Sequence, residues 1–406
     1  MTVGFTRRRA LLAGGGALGL AAAGGAGFAA GESAASGDAS AGGDVVAVEG
    51  AHQAGVATPA QARLVFGAFD LTSERPADLR ELLRVWTDAA RRMTAGEATG
   101  PVEGAAEVPP ADTGEAVGLG ARRLTITVGL GPAVFERLGL EQRRPAGLRA
   151  LPALAGDQLD PARTGGDLCV QACADDPQVA FHAVRNLLRI GRGLAELRWM
   201  QLGFVSNTAT TTGEATPRNL MGFKDGTRNL RVDDAASMDR FVWVGAEEPQ
   251  AWFRGGTYVV ARRIRMLIEA WDRDTLGDQE AVIGRRKASG APLSGTKEFD
   301  PPDLGGPAIA ANAHIRLAAP STNGGVRILR RGYAYTDGID ARTGLLDAGL
   351  FFICFQRDPA TGFVAIQRRL GASDALGEYI QHTGGGLFAI LPGVRRGQYL
   401  GQGLLG

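Results

Sequence analysis

Histidine and cysteine are scarce in this chain, with four and three among 406 residues. A zinc hydrolase needs clustered Cys, His or carboxylate ligands, and neither a His-x-x-x-His nor a Cys-x-x-Cys pattern occurs. Three cysteines exclude a four-Cys metal site and cannot all pair within one chain. Cys169 and Cys173 lie in Asp167-Leu-Cys-Val-Gln-Ala-Cys173, which reads as a strand. Their side chains then share a face but stand too far apart for a disulfide. Buried, inert thiols are expected, Cys354 included.

An excess of charge is also missing. Lys and Arg number 44 against 43 Asp and Glu, a formal charge of +1. No basic run interrupts the sequence after its first residues, so nothing points to nucleic acid or another polyanion. The 60 glycines follow no period. The length is generous for one core and favours two domains.

A strongly apolar membrane span is lacking too. Thr6-Arg-Arg-Arg-Ala-Leu-Leu12 leads into a Gly- and Ala-rich stretch ending near Ala30. A positive start, a weakly apolar middle and small residues make a signal peptide, and Arg8-Arg9-Ala10-Leu11-Leu12 resembles the twin-arginine consensus. A retained anchor is the alternative, which the poor transfer energy of Gly and Ala opposes. The expected organisation is a signal and cleavage region over 1–42 and a flexible linker over 43–57. Domains over 58–215 and 216–406 follow. The mature protein is then periplasmic or extracellular, with no stable membrane span after cleavage.

From Arg63 onward, strand and helix periods alternate. Strands are expected at 64–71, 123–129, 167–174 and 197–205, with helices at 76–93 and 176–190. The second half repeats the plan. It has strands at 256–264, 327–335, 350–355 and 386–391, and helices at 266–283 and 361–370. Each half is a β-α-β-β-α-β, ferredoxin-like unit. The fold class is therefore α+β, a duplicated pair of such units forming a two-domain, barrel-like sandwich with peripheral helices. Two irregular stretches, 206–256 and 284–317, are long enough to be functional.

Three segments carry chemistry-bearing residues. In Gly222-Phe-Lys-Asp-Gly-Thr-Arg-Asn229, two glycines flank Asp225 and let the backbone approach a flat ligand. A plain surface turn is the alternative. Asn312-Ala-His-Ile-Arg-Leu-Ala-Ala-Pro320 holds His314, and one axial histidine suffices to hold a haem iron. Arg327-Ile-Leu-Arg-Arg-Gly-Tyr333 places Arg330 and Arg331 on opposite strand faces, one toward a pocket and one toward water.

Together these segments resemble the dye-decolorising peroxidases. Gly222-Phe-Lys-Asp-Gly226 is similar to that family's Gly-x-x-Asp-Gly signature. Ala313-His-Ile-Arg316 and Leu329-Arg-Arg-Gly-Tyr333 are similar to its proximal-histidine and distal-arginine segments. Ala51-His-Gln-Ala-Gly55 and Gly384-Gly-Gly-Leu-Phe-Ala-Ile-Leu-Pro-Gly393 resemble its opening and closing segments, so the likeness spans about residues 50 to 400. It is nearest to the exported branch that includes deferrochelatase/peroxidase proteins.

The resemblance implies haem b, with His314 as proximal iron ligand and Asp374, or secondly Glu378, as the carboxylate supporting it. Asp225 becomes the distal acid–base residue and Arg330 the distal charge in the reduction of hydrogen peroxide, with dyes or other small reductants giving electrons singly. Gly226, Thr227, Arg228, Ala319, Pro320, Ser321, Arg330 and Phe352 are expected to line the haem, with Arg228 beside a propionate. Ala319 and Ser321 stand where relatives often carry more polar residues. Trp243, Trp252, Tyr258, Tyr333 and Tyr335 are either electron relays or buried packing. Two other readings stay open: a haem-handling protein that releases iron, and a haem-free binding module on the same fold. A homo-oligomer and iron-uptake partner proteins also stay open.

Overall fold

The computed structural model describes residues 44–206 and 216–406. The arginine-led signal segment lies outside the described residues. Among those described, nine strands form one sheet: β1 (Arg63–Leu71), β2 (Thr125–Leu130), β3 (Leu168–Ala174), β4 (Ala195–Phe204), β5 (Thr257–Met266), β6 (Leu329–Arg330), β7 (Tyr333–Ile339), β8 (Leu346–Gln356) and β9 (Ile380–Ile390).

The first half runs β2-β3-β1-β4 across the sheet, and the second runs β9-β5-β8-β7, so both have the same internal order. All their pairings are antiparallel. β6 and β7 are pieces of one strand. Leu329 faces Phe355 and Tyr333 faces Phe351, an unbroken register across Arg331 and Gly332. The halves join edge to edge, at Phe204↔Ala334 between β4 and β7 and at Gly129↔Ile390 and Leu130↔Ala389 between β2 and β9. The sheet thus closes into a barrel, which removes the exposed strand edges. The expected duplicated α+β plan holds.

Strands buried on both faces are mostly apolar: β1 from Leu64 to Phe69 carries no polar side chain, and β3 carries only Gln171. Inside the barrel, Phe66 of β1 meets the rings of Trp199, Phe351 and Phe388 at centroid distances of 5.5, 5.3 and 6.1 Å. Cys169 and Cys173 point there as free, buried thiols, and Cys354 is also free and buried. Outside the first half lie the helices Pro76–Thr94 and Pro177–Ile190. The first begins on Pro76 and buries Leu79, Leu82, Leu83, Trp86, Ala89, Ala90 and Met93, one helical stripe. The second is capped by Asp176, whose side chain accepts from the Gln178 and Val179 amides.

Several boundaries differ from expectation. The helix expected over 266–283 is two, Ile268–Trp271 and Leu276–Ile283. β5 continues to Met266, and Thr275 caps a fresh start by accepting from the Asp278 amide. The helix expected from 361 opens with a wide turn over Ala360–Val364, where Gly362 leaves helical geometry, and settles into Ala365–Ser373. The stretch 206–256 contains the helix Ala235–Phe241.

The flexible linker expected over 43–57 is also corrected. Val48, Gln53 and Val56 are buried. The Gln53 amide donates to the carbonyls of Val128 and Leu391, each at 2.8 Å, and accepts from the Val128 N–H at 2.9 Å. It thereby clasps the β2–β9 seam where the ladder runs out. Gly55, at φ +91°, passes so close to Thr127 that a Cβ would collide with its hydroxyl. Composition alone made this segment look loose, but its few large side chains find backbone partners.

Phe66→Ala should cost about 3–5 kcal/mol, the range for emptying a buried aromatic site. A denaturant titration checks this, and a loss under about 1 kcal/mol would mean that the interior collapses around the gap.

Candidate active site

A cavity of about 1070 Å³ lies between the outer face of the second half-sheet and the long irregular stretches. Strand alternation supplies its apolar wall, Ile264 and Met266 from β5, Leu350 and Phe352 from β8, and Ile380 from β9. Asp225, Gly226, Thr227, Arg228, His314, Ala319, Pro320, Ser321, Arg330, Phe352, Asp374 and Glu378 all line this one cavity. Segments up to 153 positions apart, from Asp225 to Glu378, thus converge on one cavity.

His314 opens the short helix His314–Ala318. Its Nδ1 lies 2.6 Å from Asp374 Oδ2. Asp374 ends the helix Ala365–Ser373 and caps the next turn, its Oδ1 accepting from the Leu376 amide at 3.0 Å. Both carboxylate oxygens are therefore fixed, and His314 donates from Nδ1 while Nε2 is left to the cavity. Glu378 makes no hydrogen bond to His314. Burial works against charge on the His314 ring, but the Asp374 carboxylate outweighs it by charge and hydrogen bond, so the net pKa is raised. Asp225 raises it further and Arg330 opposes; both pairs line the same cavity.

The other histidines are spoken for. His382 also lines the cavity, but its Nδ1 meets Arg262 Nε at 3.5 Å and its Nε2 meets Gln367 at 3.3 Å. Burial, then Arg262, pushes its pKa down to about 3. His52 bonds the Gly255 carbonyl and stacks on Trp243, and His182 bonds Asn186.

Arg330 Nη1 donates to Asp225 Oδ1 at 2.8 Å, each side chain about a third exposed. Arg331 does take the opposite face, but that face is the barrel interior rather than water. It is buried, donating to the Thr58 carbonyl and Gln61 Oε1. The closed sheet leaves no solvent on that side.

Sequence reasoning missed the residues that hold the Asp225 loop. Glu298, almost fully buried, accepts from Lys224, Thr216 and, at 3.0 Å, Thr227. It therefore grips the loop on both sides of Asp225. Burial tends to raise its pKa, but these hydrogen bonds outweigh that and the net shift is downward. Nothing in Lys297-Glu298-Phe299 marks it locally, since its partners lie 71 to 82 residues away. Arg285 was missed as well. Its pKa is lowered by burial first and then by Arg228 and Arg330, with Glu298 opposing, and its guanidinium donates to the Gly290 and Glu298 carbonyls rather than to a carboxylate.

Residues 53–205 match the family described as Dyp-type peroxidase, N-terminal, and residues 216–395 match Dyp-type peroxidase, C-terminal. The chain belongs to the DyP-type peroxidase family. It is 40% identical over 367 residues to the deferrochelatase of Escherichia coli strain K12, covering 88% of this chain and 86% of that protein. A crystal structure of a DyP-type peroxidase from Streptomyces coelicolor matches with 44% identity and a TM-score of 0.83, over 90% of this chain and 98% of that one. Another from Cellulomonas bogoriensis matches with 40% identity and a TM-score of 0.81, over 89% and 99%.

Membership of this family implies a haem cofactor, and the cavity suits one. Its walls are apolar, one imidazole nitrogen faces inward, and Arg228 and Arg285, held on carbonyl oxygens rather than carboxylates, offer positive charge to a flat group bearing carboxylates. Four of the five candidate relay aromatics, Trp243, Tyr258, Tyr333 and Tyr335, are buried and Trp252 partly so; none lines the cavity.

Glu298→Gln should lower stability by about 1–3 kcal/mol at neutral pH, the scale of hydrogen bonds to a buried charge. A lowered carboxylate pKa contributes stability above the ordinary carboxylate range, lost as pH falls through the folded value. Thermal melts of both proteins should accordingly converge as the pH drops below about 4.

Proposed function

We propose that this chain is an exported, haem-dependent peroxidase that reduces hydrogen peroxide and oxidises dyes or other small molecules. The observation that carries the reading is the convergence of the His314–Asp374 and Asp225–Arg330 pairs on one apolar cavity. His314 would hold haem b through Nε2, with Asp374 fixing the ring and making it a stronger donor. Bound there, the haem iron supplies the redox chemistry, and small reductants return electrons singly. Asp225 takes a proton from peroxide and hands it to the departing oxygen. Arg330 provides a fixed positive charge for the developing anion and, through its 2.8 Å bond, holds the Asp225 carboxylate in place. Phe352 and the backbone of Gly226, Thr227, Ala319, Pro320 and Ser321 wall the group. Arg228, its guanidinium braced on the Phe299 and Asp300 carbonyls at 3.0 and 2.9 Å, would pair with a propionate. The span 216–406 is then the haem-binding domain and 58–215 its partner.

A second reading has direct support from the curated relatives, which carry the name deferrochelatase at 40% identity over most of both chains. In it the same pocket takes up haem and gives up the iron. Export by the twin-arginine route to the periplasm or exterior rests on Arg8-Arg9 and the weakly apolar run behind them. Among the described residues, no helix is long and apolar enough to cross a membrane.

His314→Ala should lose haem affinity, read as a collapse of the Soret band on titration. Asp225→Asn and Arg330→Leu should keep haem but slow peroxide cleavage in stopped-flow spectroscopy by about 10²-fold or more, the contribution of acid–base and electrostatic groups. Normal haem retention and activity in His314→Ala would refute the ligand assignment. Iron recovered from haem without peroxide turnover would favour the second reading.

A further inference from the structure

Arg330 lies on a two-residue strand piece with β8 on one side and, among the described residues, no strand on the other. The Arg331 N–H donates to the Ile353 carbonyl at 2.8 Å, so the peptide groups of Arg331 face β8. One residue back the pattern reverses, and the N–H and C=O of Arg330 face the open side. Both are taken by a single side chain. The Arg330 N–H donates to Asn229 Oδ1 at 2.9 Å, and Asn229 Nδ2 donates to the Arg330 carbonyl at 2.7 Å. Asn229 belongs to the same loop as Asp225, four residues on. Its own carbonyl accepts from Arg327 Nη2 at 3.1 Å, which ties the loop again to the approach of this strand.

The geometry points to Asn229 as a positioning residue that sets where Arg330 stands relative to Asp225. The primary amide stands in for the missing neighbour strand, offering one acceptor and one donor at the spacing of a peptide group. The loop carrying the acid and the strand carrying the arginine are joined twice: side chain to side chain through Arg330 Nη1 and Asp225 Oδ1, and side chain to backbone through Asn229. The first link uses the groups that must act on peroxide. The second, helped by the Arg327 bond to the Asn229 carbonyl, keeps the spacing fixed while those groups exchange partners. Asparagine is required, because aspartate retains the acceptor but loses the donor and sets a negative charge against the Arg330 carbonyl, while glutamine is one carbon too long. This role rests on the peroxide reading of the site.

The test compares wild type, Asn229→Ala, Asn229→Asp, Arg330→Leu and the double variant Asn229→Ala/Arg330→Leu. Amide hydrogen exchange at Arg330 is followed in the haem-free protein. Peroxide cleavage is followed by stopped flow in the haem-loaded protein. The Arg330 amide should lose protection in Asn229→Ala and keep it in Asn229→Asp, with neighbouring β8 amides unchanged in both. Peroxide cleavage should slow about 10-fold in Asn229→Ala, as expected when reacting groups shift by a fraction of an ångström, with haem affinity unaltered. In the Arg330→Leu background, Asn229→Ala should add nothing, since its effect passes through Arg330. Unchanged exchange at Arg330, or slowing that multiplies with that of Arg330→Leu, overturns the proposal. A fast wild type with an equally fast Asn229→Ala overturns the role of Asn229 alone. A slow wild type overturns the peroxide reading, and this role with it.

Discussion

A ferredoxin-like half-sheet has two edges, and each presents a row of N–H and C=O groups that must find partners. In this chain the edges of one half meet those of the other, β4 with β7 and β2 with β9. The closure rests on few rungs, one residue pair at the first seam and two at the second. With the seams shut, the inner faces of both halves share the aromatic cluster around Phe66, and the interior fills with side chains. A filled interior forces the ligand cavity outside the barrel, onto the outer face of the second half. The first half has no such freedom, because its outer face is already covered by two amphipathic helices.

The polar groups of the cavity are each held by something that does not react. Asp374 is fixed by a turn amide before it meets His314. Asp225 sits on a loop gripped by Glu298 on both sides, and Arg330 on a strand whose free edge is filled by Asn229. Such bracing makes electrostatic groups effective, because charges already in place need no reorganisation during reaction. It also explains why two opposite charges lie open to a cavity without collapsing onto nearer partners.

The sequence made the repeat legible because most strands are periodic and the helices near Pro76 and Pro177 carry clear start signals. The site residues were legible through short segments that resemble a family, and Asp225, His314 and Arg330 all fall on the cavity wall. What escaped was set by distant partners. Glu298 reads as one more acidic residue in a loop until Lys224 and Thr227 come to it. Asn229 was in plain view beside Asp225, but its value depends on a strand 101 residues away. Arg331 was expected in water, since alternation gives opposite faces without saying that the barrel closes over one of them. The segment from Val48 to Gly55 looked loose for the same reason.

The Gln53 clasp has a consequence in time. Gln53 leaves the ribosome well ahead of its partner Leu391, which lies 338 positions later. The Gly50 N–H likewise donates to the Val394 carbonyl, with Glu49 opposite Val394 in a parallel bridge. Contacts of such long range cannot form until the later segment has left the ribosome, and closing so long a loop is slow. The β2–β9 seam is therefore sealed only once both segments are present, by an early part of the chain reaching to a much later one. Until then the β2–β9 seam stands open, and the nascent protein waits with its final strand unmade.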